Sequence, residues 1–506
     1  MPYYVTTPIY YVNGEPHLGH VYTTVAADVL ARHMRQRGEE VFFLTGTDEH
    51  GEPVALAAEK LGVTPRELAD KNAERFKEVA RRVNATNDFF IRTSDPEHAA
   101  VVKWVVERIK DNGYVYKDLY EGWYCPRCAD FKTENEILEG NRCPIHLIEL
   151  DRQHEENWFF RLSAFQERLE ELYAERPDFV GPSSRYNEAL SFIKGGLRDF
   201  SLSRSRITWG VPIPWDDEQV VYVWVDALLN YYSALSYARE GQDLTDTFWP
   251  ATVHVIAKDI LKFHAVFWPA LLMAAEIEVP QKVFIHGYLL MDEHKMSKSL
   301  GNVLDPFEVM DTYGTDALRF YLLREVAFGQ DGSISPAGFE ARYNTELAND
   351  YGNLASRTLA MIAKYRDGVV PQSTPPEQLV ADFEGLADEV ARNLDAVEVS
   401  AALEAIWVRV RGLNRFVQDQ APWKMAKEDD RADELDRVLY GLAEGLRVVS
   451  VLLLPWLPDT AERLLAALGS DDRSLDCARL GDHGGGSTVG ELGQLFPRIE
   501  PPAEAA

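Results

Sequence analysis

Two histidines stand three residues apart around a glycine in PHLGH, residues 16–20, where a loop gives way to helical spacing. Apolar side chains at Leu18, Val21, Val25, Val29, Leu30 and Met34 recur mostly at steps of three and four, the pattern of one helix face. A helix N-terminus presents unpaired N–H groups and partial positive charge, so it attracts anions such as phosphate. His17 and His20, both in the first turn, would point the same way and donate hydrogen bonds to phosphate oxygens. Gly19 would let a flat ring or a phosphate approach the backbone with no Cβ in the way. Histidines at this spacing are also common as surface or metal-binding pairs, so the stretch decides nothing by itself. A second stretch, HKMSKSLGN at 294–302, sets Lys295 and Lys298 among small residues, as a cationic loop reaching a polyphosphate would; a solvated surface turn has the same composition. A third, CPRC at 125–128 and CPIH at 143–146, offers Cys125, Cys128, Cys143 and His146 as two ligand pairs, the spacing of a tetrahedral zinc knuckle. Four protein ligands leave no place for a reacting water, so one structural zinc per chain is expected, with an empty degenerate knuckle or a disulfide as the alternatives.

These groups need elements to hold them. Tyr3–Thr7 is aromatic and β-branched and runs into Pro8, as a short buried strand would. After the first helix comes a stop at Gly38, a second apolar run at 41–45, then GTDEHGEP and a helical stretch from Val54 to Leu61. Strand, helix, strand, helix at this spacing predicts a parallel α/β sheet, whose ligands sit at the carboxyl ends of the strands. VFIHGYLL at 283–290 reads as another strand before the lysine stretch, with a helix starting near Pro306. Between Asn112 and Val221 the chain departs from the sheet pattern, as an inserted domain does. Beyond Asn344 helical spacing dominates: Leu403, Ile406, Trp407, Val410, Leu413, Phe416 and Val417 form one stripe, and Leu435, Val438, Leu439, Leu442, Leu446 and Val449 another, which predicts a helical bundle. GDHGGGSTVG at 481–490 reads as a flexible turn.

The chain has 506 residues, 46% of them hydrophobic, enough for several domains each with a core. A net charge of −29 argues against a broad non-specific phosphate footprint, so any nucleic acid must be met by local patches. No basic segment followed by an apolar run opens the sequence, and VVSVLLLPWLP at 448–458 is broken by prolines, so neither a signal peptide nor a membrane span is expected. With four cysteines, three of them between 125 and 143, a reducing, cytoplasmic setting is expected.

HLGH and KMSKS together resemble the signatures of class I aminoacyl-tRNA synthetases. TTPIYYVNGEPHLGH, FLTGTDEHG, YVWVDALLNYYSAL, VIAKDILKFHAVFWPALL, HGYLLMDEHKMSKSLGN, GTDALRFYLLR and NDYGNLASR are similar to the methionyl-tRNA synthetases within that class, from Tyr3 to about Leu457. The resemblance implies a Rossmann-type parallel-sheet catalytic domain in two halves, 1–112 and 222–292, with an inserted zinc-binding domain at 113–221 (knuckle 125–146). It further implies a KMSKS and stem-contact region at 293–343, an α-helical anticodon-binding bundle at 344–480 and a tail at 481–506. The implied reaction joins methionine to ATP as methionyl-adenylate, then moves the methionyl group to the 3′ end of tRNA(Met), the initiator included, with Mg²⁺ accompanying ATP.

By position, His17, Gly19, His20, Lys295 and Lys298 match the family's ATP site, the histidines and lysines as its catalytic groups. Asp48 matches the partner of the substrate ammonium, and it also precedes a helix, so a helix N-cap is a second role compatible with the first. Ile9, Tyr11, Trp224, Ala227, Leu228, Tyr231, Ile260 and His264 match the methionine side-chain pocket; Leu228 stands where some members carry Pro. Asn353, Arg357 and Trp423 match the anticodon readers, with Arg409, Arg411, Arg415, Lys424 and Lys427 as a basic patch nearby. His146 departs from the family's frequent four-cysteine knuckle. A monomer is expected. Sister synthetases for leucine, valine, isoleucine or cysteine, and a non-catalytic RNA-binding relative, are the rival readings.

Overall fold

The structure, a computed structural model, describes residues 2–126, 130–132, 136–145, 147–291 and 305–499. They form two compact units, one of residues 1–27, 41–81 and 85–286, the other of residues 28–40, 82–84 and 287–506.

The first unit is built on a six-stranded sheet of β1 (Tyr3–Tyr11), β2 (Val41–Asp48), β3 (Phe89–Arg92), β4 (Val180–Gly181), β5 (Val253–Ala257) and β6 (Val283–His286), in the spatial order β3-β2-β1-β5-β6-β4. Every pairing is parallel. Parallel strands carry helices on both faces and are buried throughout, which explains the unbroken apolar reading of VFFL in β2. Helix α1 (Leu18–Gln36) follows β1, and α2 (Glu52–Leu61) follows β2. Strand β1 does not end at Pro8, as its sequence predicts. The ladder shifts register between Thr6 and Ile9, absorbing the missing N–H, and resumes with Ile9 opposite Gly46 and Tyr11 opposite Asp48.

Residues 113–221 leave the main sheet only in part. Val115–Cys125, Asp130–Lys132, Asp151–Phe160 and Phe200–Ser201 form a separate antiparallel sheet. The chain then returns to the main core through β4 and through Leu169, Leu172, Tyr173, Ala189 and Ile193 on the helices flanking it. A two-residue strand has no periodicity to read, so this return was invisible in the sequence. The run 283–290 is likewise divided: β6 ends at His286, and Leu289–Met291 pairs with Gly332–Ile334. Gly287 allows the break, because a Cβ there would collide with the backbone of Gln330 and Asp331.

The second unit is helical. Val399–Gln420 and Ala432–Leu453 bury both apolar stripes read from the sequence. The two helices approach closely at Gly445, where a Cβ would lie 2.6 Å from the Leu413 side chain. The glycine-rich 481–490 segment corrects the flexible-turn expectation. Gly486 N–H donates to Val370 O at 2.8 Å, Val370 N–H to Ser487 O at 2.9 Å, and Val489 N–H to Gly368 O at 2.7 Å. Gly485 is needed there for close backbone approach, since its φ is +75° and a Cβ would overlap the Pro371 carbonyl. Among the described residues no helix is long and apolar enough to cross a membrane.

Candidate functional site

The carboxyl ends of β1 and β2 bring Ile9, Tyr11 and Asp48 together, beside the β1/β5 junction where successive connections run to opposite sides of the sheet. Asp48 is buried, and its Oδ1 has no hydrogen-bond partner among the described residues. Burial, and then the nearby Asp226 anion, push its carboxyl well above the usual range, while the His50 backbone N–H pulls the other way. Gly51, not Asp48, is the N-cap of α2, with φ 88°, so the helix-cap role falls away. A desolvated carboxylate with an unused lone pair is the complement of a cation.

Tyr11, paired with Asp48 across the sheet, opens a group of aromatic side chains. Trp224, Ala227 and Leu228 come from the helix Val223–Leu228, and Tyr11 meets Trp224 edge-on at 6.0 Å. Phe263 lies flat on Trp224, with centroids 3.9 Å apart and planes 5° apart. Tyr231 and His264 share a 2.7 Å hydrogen bond, and His264 Nδ1 is 3.1 Å from the Ile260 carbonyl. That carbonyl can only accept, so the ring proton sits on Nδ1, and Nε2 accepts from the Tyr231 hydroxyl. Burial lowers the His264 pKa to about 4, which keeps the ring neutral. Behind Tyr231, His254 accepts from Trp268 Nε1 at 3.2 Å and donates from Nδ1 to Thr6 at 2.8 Å. Aromatic and aliphatic walls of this kind suit a flexible thioether, for which sulfur–aromatic contacts contribute ~0.3–1.5 kcal/mol. Of the eight expected pocket residues, Ile9, Tyr11, Trp224, Leu228, Tyr231 and Ile260 share one apolar core, and Ala227 and His264 are buried. Phe263, which stands beside His264 in the sequence, joins this aromatic group through Trp224. It opens a π-helical turn, Phe263–Phe267, a geometry frequent at binding sites.

At the start of α1 the His17 and His20 rings stack at 3.7 Å. His17 N–H donates to His20 Nδ1 and Gly19 N–H to His17 Nδ1, both at 3.1 Å. Each Nδ1 is therefore an acceptor, and each ring presents Nε2–H as its donor. Burial lowers both pKa values, that of His20 well below the usual range with help from His17, so both rings are neutral donors. Gly19 has a nearer reason than ligand approach: a Cβ would sit 3.0 Å from His17 Cε1. Tyr10 and Phe76 pack the His20 ring at 4.6 and 5.1 Å. Lys295 and Lys298 lie outside the described residues.

The profile described as tRNA synthetases class I (M) matches residues 3–152 and 138–359, and that of the anticodon binding domain of methionyl tRNA ligase matches residues 370–481. This chain belongs to the methionyl-tRNA synthetases. The methionine--tRNA ligase of Streptomyces coelicolor is 45% identical over 98% of this chain and 97% of its own length; that of Caldanaerobacter subterraneus is 43% identical over 100% and 80%. Mycobacterium tuberculosis methionyl-tRNA synthetase in complex with methionyl-adenylate superposes with a TM-score of 0.93 at 41% identity, over 98% of this chain and 100% of that one. The activity is that of a methionine--tRNA ligase, which uses ATP with Mg²⁺, methionine and tRNA(Met).

In the helical unit of the synthetase, the Arg357 guanidinium lies 5.7 Å from the Trp423 ring centroid. Trp423 is half-buried rather than a core residue, and Asn353 is exposed. The basic patch is thinner than its sequence suggests, because Arg409 is taken by Glu389 at 3.4 Å and Arg411 pairs with Glu404. Trp423→Ala is expected to lower kcat/KM for tRNA about 10- to 100-fold, the ~1–3 kcal/mol of one lost base stack, with tRNA-independent pyrophosphate exchange unchanged. Equal loss in both assays would make Trp423 structural.

In the insertion, Cys125 and Cys143 are both buried and share one small cluster with Leu150. Cys128 and His146 lie outside the described residues, and among the described ones no three His, Cys, Asp or Glu side chains gather at a metal-binding distance.

Proposed function

We propose that methionine binds with its ammonium on Asp48 and its thioether in the slot of Ile9, Tyr11, Trp224, Ala227, Leu228, Tyr231, Ile260, Phe263 and His264. The observation that carries this reading is the buried Asp48 Oδ1, without a partner among the described residues, an acceptor that a substrate ammonium would satisfy. So bound, a methionine carboxylate oxygen attacks the α-phosphorus of ATP in line; a P–O bond forms, and the bond to pyrophosphate breaks. No side chain acts as nucleophile, so the protein contributes positioning and donors aimed at the growing charge. His17 and His20 give neutral Nε2–H donors to the phosphate oxygens, and Lys295 and Lys298 add cations. Mg²⁺ supplies charge neutralisation on the phosphates when bound.

Methionine-dependent pyrophosphate exchange tests the assignment. Lys298→Ala is expected to lower the exchange kcat about 10²- to 10³-fold, as loss of one donor to developing charge does, with KM for methionine within a few-fold. Equal losses in both parameters would contradict a transition-state role. His17→Ala and His20→Ala should follow the same pattern.

The insertion is proposed to hold one structural zinc on Cys125, Cys128, Cys143 and His146. The burial of Cys125 and Cys143 in one cluster supports it, since thiolates held together are what a tetrahedral site needs. About one equivalent of zinc is expected in active enzyme and a marked loss in Cys125→Ser; active protein with far less zinc refutes the site. Asn353, Arg357 and Trp423 are proposed to read the anticodon, the domain boundaries to follow the family's, and the enzyme to act as a cytoplasmic monomer.

A further inference from the structure

Behind the pocket lies a set of buried polar groups that the mechanism above does not use. Asp226 receives hydrogen bonds from His50 Nδ1 at 2.7 Å and from His98 Nε2 at 2.9 Å, and His98 Nδ1 bonds to Ser233 Oγ at 2.7 Å. All four side chains are buried. Burial opposes charge on Asp226, but the two imidazoles hold its carboxyl at about 2, so it is an anion at neutral pH.

Each member stands beside a pocket residue. His50 is two positions after Asp48, and its backbone N–H serves the Asp48 carboxylate. Asp226 shares a helix with Trp224, Ala227 and Leu228; Ser233 shares one with Tyr231. His98 reaches the group from the helix Pro96–Asp111. A carboxylate is costly at such a place, and an apolar residue would pack the same helices without that cost. What only the carboxylate can do is grip the His50 ring while adding negative potential beside Asp48.

We propose that Asp226 is a positioning residue for the substrate ammonium: it fixes the His50 main chain so that one Asp48 oxygen stays occupied and the other stays free, and it adds its charge to the pull on a cation. This rests on the assignment of the ammonium to Asp48. Discrimination then depends on Asp226 for the amine end of the substrate and not for the thioether end.

The test uses two inhibitors of methionine-dependent exchange that differ only in the amine, methioninol and 4-(methylthio)butan-1-ol. In Asp226→Asn the inhibition constant of methioninol is expected to rise about 10-fold, and that of the amine-free alcohol to change less than 2-fold. An equal rise in both would mean that Asp226 only supports the Trp224 wall, and no rise in either would mean that it does nothing for binding; each overturns the proposal. Should Asp226→Asn not fold, His50 carries the same test. His50→Ala should show the selective loss, and His50→Gln, whose amide can donate to Asp226, should recover most of it; an unselective or absent effect in His50→Ala overturns the proposal. Asp48→Asn separates the two levels. If it leaves the amine preference intact, the Asp48 assignment fails; if it abolishes the preference while Asp226→Asn retains it, only the role of Asp226 fails.

Discussion

Asp48→Asn is expected to raise KM for methionine in pyrophosphate exchange by about 30-fold to several thousand-fold, with KM for ATP nearly unchanged. The range is that of removing one partner from a buried charge pair, ~2–5 kcal/mol at ~1.4 kcal/mol per decade. The acid–base behaviour sharpens the expectation. Burial and Asp226 raise the Asp48 pKa, so methionine must compete with a proton there, and KM for methionine in the parent should climb as pH falls through that raised value. In the Asp48→Asn variant this climb should vanish. The same shift has a sign for stability. The folded apo chain binds the Asp48 proton more tightly than the unfolded chain, so this group favours folding at pH below its unfolded value, and the contribution is lost as pH rises through its folded value. Asn cannot ionise, so without methionine the Asp48→Asn variant should melt above the parent at alkaline pH, with the gap narrowing as pH falls toward the unfolded value. Thermal melts at several pH values, with and without methionine, read both effects; a variant that melts lower at every pH would show that the free Oδ1 is not a strained binding group.

The sequence made the site legible where chemistry is local. HLGH contains its own geometry, since a His-x-x-His pair at a helix start stacks and the intervening N–H groups fall on the ring nitrogens. Burial along β2 was equally local, and so were the two helical stripes. What stayed hidden depends on partners far along the chain. Asp226 reads as one more polar residue on a helix until His50 and His98, 176 and 128 residues away, are seen to share it. Gly485 reads as flexibility until the Pro371 carbonyl is seen to occupy the place of its Cβ. Composition reports what a residue permits; only its neighbours decide whether that freedom is used for motion or for contact. The thinning of the basic patch has a partner of each kind: Glu389 reaches Arg409 from the preceding helix, while Glu404 reaches Arg411 along the same helix.

GTDALRFYLLR marked the family without disclosing a task for its charged residues, and the helical unit supplies one. Arg319 is fully buried on the helix Thr315–Glu325. Its guanidinium meets Asp28 Oδ2 at 2.7 Å and donates to the carbonyls of Val83 at 2.8 Å, Pro455 at 2.6 Å and Trp456 at 3.2 Å. Three residues earlier, Asp316 accepts from Thr460 N–H at 2.7 Å. One helix thus satisfies carbonyls left over where Ala432–Leu453 ends and an N–H left over where Pro458–Ala467 begins. Arg319→Met fills the volume but orphans three buried carbonyls and leaves Asp28 to Arg32, which donates to the same carboxylate oxygen. The expected cost is about 3–5 kcal/mol, the magnitude of breaking a buried pair from one side. It should appear as a lower urea midpoint for loss of helical circular dichroism. Arg319→Lys should recover little, because a single ammonium cannot span four acceptors. The double variant Arg319→Met with Asp28→Asn should be less destabilised than the sum of its parts, since the two substitutions remove opposite ends of one contact. A loss below about 1 kcal/mol in Arg319→Met would show that water replaces the guanidinium, and the buried network would then not be what holds these helix ends together.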